Sequence, residues 1–297
     1  MKLLIVGTPD TIESQAIIES GKKLSHLVDA VHLYDIFFQI SNNIFKAHHK
    51  NLDLLSFDAY LFRGIASSTP QKSQLYNALI LAKYFYDNNK IVVDEKLATE
   101  TYIASKIEYT LSKNNIPTPN TVYTLGRNAT TQYLSSAEYP LIIKSTSGSK
   151  GKGVFLVNNF EEAQKTIIEN EGKKFLFQEY IPTRFDIRVL VVGDKVLGAM
   201  RRDAADNDFR SNIAQGGSAS NYDLNANPEV AQLALRATRA AHMEIAGVDI
   251  MINQGKMYVL EVNRTPQFRG FIESTGLDVG YEIIKYIESK LHKQNGF

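Results

Sequence analysis

Apolar and polar positions along the first third of the chain change period by turns. Leu3 to Val6 is a short apolar run, and from about Asp10 to Leu24 the residues Ile12, Ala16, Ile17 and Ser20 recur at helical spacing. Val28 to Tyr34 and Asp58 to Phe62 read as further strands. Ser67-Ser68-Thr69-Pro70 then caps a helix to about Asn88, with Leu75, Leu79, Ala82 and Tyr86 on one face, and Ile91 to Val93 closes the series. Strands alternating with helices predict a small parallel α/β layer over 1–93. Segment 36–55 fits neither period.

Over 94–185 the pattern predicts a helix from Leu97 to Ser112, stopped before Pro117 and Pro119. Strands follow at Val122 to Leu125, Leu141 to Lys144, Val154 to Val157 and Phe175 to Ile181, with a helix at Phe160 to Asn170. Over 186–297 it predicts a hairpin, Ile187 to Val192 and Val196 to Met200, turning at Gly193-Asp194. A polar run at 203–220 follows, too long for an ordinary connection. Asn227 and Pro228 then open a helix to about Ile245, ahead of strands at 247–253 and 257–263, an irregular TPQFRGFIESTG and a helix near 278–292. These two parts read as α+β.

The paired strands hold the chemistry. Asp249 lies among Val248, Ile250 and Ile252, while Glu261 and Asn263 bracket Val262. Residues two apart in a strand share a face, so Glu261 and Asn263 point together. A turn with an odd number of residues, such as Gln254 to Lys256, would bring Asp249 to that face as well. Adjacent carboxylates raise each other's pKa unless a cation offsets them, and hard oxygen ligands without His or Cys suit magnesium or manganese. The plainer reading of Asp249 alone is an edge or ion-paired residue.

Lys144 is followed at once by STSGSKGKG, a flexible loop between two strands whose amides could fold over phosphates, or a solvated turn. It is neither a Walker A motif, which needs Gly-Lys before Ser or Thr and a helix, nor GxGxxG. Gln178-Glu179-Tyr180 sets a carboxylate in an apolar strand. Arg63-Gly64 follows the third strand at its carboxyl end, where open α/β sheets place ligands. His26, His32, His48 and His49 lack the spacing of a metal site.

With 33 basic and 32 acidic residues the formal charge is +1, so composition gives no reason to expect bulk binding to nucleic acid or membrane. The absence of cysteine excludes disulfides, thiolate metal sites and cysteine nucleophiles and fits a cytoplasmic protein. The opening MKLLIVG is too short for a signal peptide, and the sequence holds no apolar run long enough to span a bilayer.

Taken in order, these motifs resemble the ATP-grasp superfamily. They are Lys106, Lys144 with its glycine loop, Gln178-Glu179-Tyr180-Ile181, Asp186-Ile187-Arg188, Phe209-Arg210-Ser211-Asn212, Gly216-Gly217, Ala246-Gly247-Val248-Asp249 and Glu261-Val262-Asn263. Within the superfamily the chain is most similar to the RimK-like α-L-glutamate ligases. The resemblance implies an ATP-grasp fold over about 94–290, behind a Rossmann-like preATP-grasp layer. It implies ATP and magnesium, with Lys106, Lys144 and the loop residues Ser149, Gly151 and Gly153 at the phosphates. Glu179, Tyr180 and Ile181 would meet the adenine, and Asp186 would lie near the nucleoside. Asp249, Glu261 and Asn263 would hold the metal. Arg202, Arg210, Ser211 and Asn212 would face the nucleotide and the transferred phosphoryl group, and Arg63, Gly64, Arg188, Arg264 and Arg269 the substrates.

The activity implied is carboxylate-amine ligation through an acylphosphate, on a protein, peptide or metabolite acceptor, with a homo-oligomer left open. A regulatory ATP-binding module and a kinase that stops at phosphoryl transfer are the alternatives. The chain departs from the family pattern after Asn263, where Arg264-Thr265-Pro266-Gln267-Phe268-Arg269 replaces a small residue, Ser, Pro and Gly-Leu.

Overall fold

The computed structural model describes residues 1–42, 44–64, 72–99, 107–145, 153–205, 217–294 and 296, and orders their strands into four sheets. The amino-terminal part contains β1 (Lys2–Gly7), α1 (Ile12–Lys23), β2 (Leu27–His32), β3 (Ile36–Ser41), β4 (Ile44–His49), β5 (Leu52–Asp53), β6 (Ala59–Phe62), α2 (Lys72–Asp87) and β7 (Ile91–Val92). Thr11 fixes the start of α1, its hydroxyl accepting the Ser14 N–H at 3.2 Å. The parallel sheet runs β2-β1-β6-β7. Leu3, Leu4, Ile5 and Val6 are all buried, as expected of a strand covered on both faces. Because the order reverses between β1 and β6, their carboxyl ends form the sheet's topological switch point.

Segment 36–55 forms a separate antiparallel sheet, β3-β4-β5. Its period is hard to read because both faces of the hairpin are apolar: Ile36, Phe38, Phe45 and Ala47 pack into the core, while Phe37, Ile40 and Ile44 stay exposed.

The next part holds α3 (Lys96–Thr99), α4 (Ile107–Lys113), β8 (Thr121–Tyr123), α5 (Arg127–Ser136), β9 (Leu141–Ser145), β10 (Val154–Val157), α6 (Phe160–Glu169) and β11 (Phe175–Glu179). Helix α5 lacks a strong apolar stripe, and sequence pattern passed over it. The antiparallel order is β10-β9-β11-β8. On one face Ile143 and Phe177 pack with Val122, Phe155, Leu134 and Ala163, the last two from α5 and α6. Lys144 belongs to the other face.

The remainder comprises β12 (Phe185–Val192), β13 (Lys195–Asp203), β14 (Ser218–Asn221), α7 (Pro228–Ala240), β15 (Ile245–Asn253), β16 (Lys256–Asn263), α8 (Arg269–Thr275) and α9 (Val279–Gln294). Two expectations change here. Helix α7 stops at Ala240, with His242 in the left-handed region at φ 51°, so β15 begins at Ile245. The stretch expected to be irregular contains α8, ended by Gly276 at φ 71°.

The five strands run β14-β13-β12-β15-β16. One face, with Ile187, Val189, Val248, Ile250, Val259 and Val262, is covered by Val230, Leu233, Ala234 and Ala237 of α7. The other face divides along its length. Leu190, Val192, Met200 and Ile245 pack against Phe268, Phe271 and Ile283 and onto Leu3 and Ile5 of the parallel sheet. The opposite end is polar.

Candidate active site

The polar end is built by register. Asp186 pairs with Arg202, Arg188 with Asp249, Asp249 with Glu261 and Gly247 with Asn263. Directly paired residues share a face, so Arg202, Asp186, Arg188, Asp249, Glu261 and Asn263 form one row. The turn between β15 and β16 has two central residues, Gln254 at φ 49° and Gly255 at φ 76°, the positive pair of a type I′ turn. That corrects the expected three-residue turn. A bulge between Asp249 and Ile250 supplies the missing step: Ile250 pairs with Val259 but Asp249 with Glu261, leaving Leu260 as the extra residue. Without it the ladder would turn Glu261 and Asn263 toward α7.

Arg188 donates from Nε and Nη2 to the two oxygens of Asp249 at 2.7 and 2.6 Å. Arg202 does the same to Asp186, both at 2.6 Å, and its Nη2 lies 3.0 Å from Asp249 Oδ2. Burial works against the Asp249 carboxylate, but the two guanidiniums outweigh it and bring its pKa down to about 2. Glu261 differs. It is open to water, yet surrounding protein and the Asp249 charge push its carboxyl up, against Arg188, Asn263 and Lys144. Burial pushes the Lys144 ammonium down, opposed by Glu261, Glu108 and Asp249. Lys144 of β9 and Glu261 of β16 therefore sense one another across the space between two sheets. Three carboxylates (Asp186, Asp249, Glu261) meet three cations (Lys144, Arg188, Arg202).

The model of the RimK-like ATP-grasp domain matches residues 104–287, more than half of the chain. A probable alpha-L-glutamate ligase of Chromohalobacter salexigens is 30% identical over 280 residues, covering 93% of this chain and 90% of that protein. The chain belongs to the RimK-like ATP-grasp family. A probable alpha-L-glutamate ligase of Xanthomonas campestris pv. campestris is 31% identical over 300 residues, 98% of this chain and all of that protein. Among solved structures, the ATP-grasp ligase PsnB complexed with a precursor variant, Mg and ADP superposes with a TM-score of 0.74 at 17% identity, over 97% of this chain and 98% of that one. A RimK domain ATP-grasp protein from Sphaerobacter thermophilus gives 0.67 at 19%, over 96% and 99%. These likenesses establish the ATP-grasp fold, and family membership makes the chain an ATP-dependent ligase of C–N bonds.

In this RimK-like ligase the other expected site residues fall into three groups. Lys106, Ser149, Gly151, Arg210, Ser211 and Asn212 lie outside the described residues. Gly153 closes the glycine loop: its carbonyl accepts the Ser145 N–H at 2.7 Å, and at φ 93° a Cβ would meet Ser145 Cβ at 2.9 Å. The rest are tied to protein. Glu179 accepts the N–H and Nδ2 of Asn120 at 3.0 and 2.9 Å, with Tyr180 half-buried and Ile181 buried beyond it.

Arg63 is buried beneath the departing loop. Its Nη2 donates to the Pro266 carbonyl at 3.0 Å, its guanidinium lies 5.4 Å from the Phe268 ring centre, and burial brings its pKa down to about 10 against the pull of Glu13. Gly64 turns the chain beside Thr8 at φ 69°. Arg264 pairs with buried Asp94 at 2.8 Å, and exposed Arg269 with Glu273 at 2.9 Å. Sequence reasoning missed Glu108, Glu13 and Asp94. Glu108 accepts the Tyr123 hydroxyl and Glu13 the Phe268 N–H at 3.3 Å. Position gave a signal for two of them: Glu108 is two residues past Lys106, and Asp94 lies two residues past the end of β7.

Among the described residues no group of three or more His, Cys, Asp or Glu is placed to hold a metal ion by itself. The row offers two carboxylates and an amide oxygen, and Asp249 Oδ1 has accepted one bond from the arginines. Such a set fits a magnesium ion that completes its shell from phosphates and water. None of the described helices is long and apolar enough to cross a membrane.

Proposed function

We propose that ATP lies between the β10-β9-β11-β8 sheet and the polar row, and that the chain uses it to join a carboxylate to the amine of an amino acid or peptide. The observation that carries this reading is the bulge-set row of Asp249, Glu261 and Asn263 within electrostatic reach of Lys144. Asp249, Glu261 and Asn263 would hold magnesium, which when bound offsets charge on phosphate oxygens.

Lys144 and the arginines act as fixed donors. Each arginine spends Nε and Nη2 on a carboxylate, which aims its remaining amino group without reorganisation. The substrate carboxylate attacks the γ-phosphorus, ADP leaves, and the amine then displaces phosphate from the acylphosphate. No enzyme nucleophile takes part. The relatives named as probable alpha-L-glutamate ligases, and solved neighbours complexed with precursor peptides, such as the macrocyclase MdnC of Microcystis aeruginosa, support amino-acid and peptide substrates.

The test is ADP release with glutamate and candidate amine or peptide acceptors, paired with mass spectrometry of the acceptor. The reading requires ADP and an acceptor mass gain that both depend on the two co-substrates. ADP formed at full rate without amine would identify a phosphoryl-transfer enzyme instead.

A further inference from the structure

Three neighbouring strands of the parallel layer, β1, β6 and β7, each lead into a buried charged residue, and all three residues grip the segment that follows Asn263. Glu13, in the first turn of α1 after β1, accepts the Phe268 N–H at 3.3 Å. Arg63, directly after β6, donates to the Pro266 carbonyl at 3.0 Å and faces the Phe268 ring. Asp94, two residues past β7, lies 2.8 Å from Arg264 Nη1. Alternate residues 264, 266 and 268 are therefore fixed in strand order, and the segment covers the switch point where an open α/β sheet would take a ligand. Its other side meets the polar row. A Cβ on Gly247 would come within 2.8 Å of Pro266 Cβ, and Gly247 is the register partner of Asn263. Asp94 also accepts the Glu244 N–H, so one carboxylate holds the residue before β15 and the residue after β16.

Ion pairs buried for stability alone are often matched by apolar residues of similar volume. Here the charges instead fix a segment that has no helix or strand of its own. We infer that Glu13, Arg63 and Asp94 are positioning residues: by clasping 264–268 they hold Asn263 and the open end of the hairpin of β15 and β16 in register for the metal ion. Asp94 has the most direct hold, through Arg264, the neighbour of Asn263. Glu261 lies two residues earlier on the same strand. The parallel layer thus shapes the metal site without contributing a ligand to it. The clasp presupposes the magnesium site proposed for Asp249, Glu261 and Asn263.

Mn2+ titrated into the full chain with saturating ADP, read by electron paramagnetic resonance, tests the clasp. Asp94→Asn and Arg264→Met should each weaken Mn2+ binding about tenfold, the low end of the loss seen when a group behind a metal ligand is removed. Arg264→Lys keeps the charge facing Asp94 and should recover most of that loss. Arg63→Met should also weaken binding. Leu81→Val loosens the opposite core of the same layer and should leave the affinity unchanged. Circular dichroism checks folding, and if Asp94→Asn does not fold, the two Arg264 variants decide. Normal affinity in Arg264→Met beside weakened binding in Glu261→Gln would overturn the clasp and leave the metal site standing. Normal affinity in Glu261→Gln would remove the site and the clasp together. Equal losses in Leu81→Val and Arg264→Met would reduce the effect to general stability. A raised KM for the acceptor with unchanged Mn2+ affinity in Arg264→Met would assign that side chain to the substrate, and either of these two results also overturns the clasp.

Discussion

Replacing Asp249 by asparagine removes the charge that faces two guanidiniums, that of Arg202 buried and that of Arg188 half-buried. Arg202 keeps its paired bonds to Asp186, but Arg188 loses the bidentate acceptor that it reaches at 2.7 and 2.6 Å. Removing one partner of a buried ion pair costs about 3–5 kcal/mol, because the other charge is left uncompensated. The Arg188 side chain is 14% accessible and the amide oxygen still accepts one bond, which places Asp249→Asn near ~3 kcal/mol. Adding Arg188→Met removes the stranded charge and should return about 2 kcal/mol, since an apolar replacement of a whole buried pair is often near neutral. Urea unfolding followed by far-UV circular dichroism measures both. ADP formation should stay impaired in the single and the double variant alike, because stability returns without the carboxylate charge proposed to face the metal. A cost for Asp249→Asn below ~0.5 kcal/mol would refute the ion-pair reasoning. Recovery of ADP formation in the double variant would leave Asp249 with a structural role alone.

Two further outcomes follow from the fold. Gly7→Ala should cost several kcal/mol, more than the ~1–3 kcal/mol of backbone strain alone, because at φ 138° its Cβ would lie 1.7 Å from the Arg63 carbonyl oxygen. Gly172→Ala, at φ 86° with open space around it, should cost less, and equal thermal shifts for the two would contradict the close approach of β1 and the chain after β6. Burial opposes the charge on Glu288, but hydrogen bonds from Lys285 and His26 hold its carboxyl below the usual 4.5. Its stabilising effect is therefore present above that value and lost as pH falls below it. Glu288→Gln should flatten the acid side of the stability profile, and an unchanged slope there would remove this assignment.

The sequence carried the parallel layer, the central strands and the identity of the carboxylate strands, because each has a clear period or an out-of-place polar residue. It carried the juxtaposition of Asp249 with Glu261 and Asn263 only by outcome. A three-residue turn was the simplest way to align them, whereas the chain uses a two-residue turn and a bulge at Leu260, which leaves no local signature. The plain reading of Asp249 as an ion-paired residue also holds, since Arg188 and Arg202 both reach it. The partners of Arg63, Arg264 and Glu179 were illegible for another reason. Pro266, Asp94 and Asn120 are brought to them by tertiary packing across large sequence separations. The hairpin at 36–49 escaped notice because apolar residues occupy both faces.

Asp249, Glu261 and Asn263 are proposed to bind a divalent ion together beside the nucleotide. Titrating Mn2+ into the full chain with saturating ADP, read by electron paramagnetic resonance, tests it most directly. The unaltered chain should bind the ion, and Glu261→Gln should weaken binding by at least ~10–100-fold, the loss typical of disturbing even the outer shell of a metal site. Equal affinity in the two proteins, both folded by circular dichroism, would contradict it.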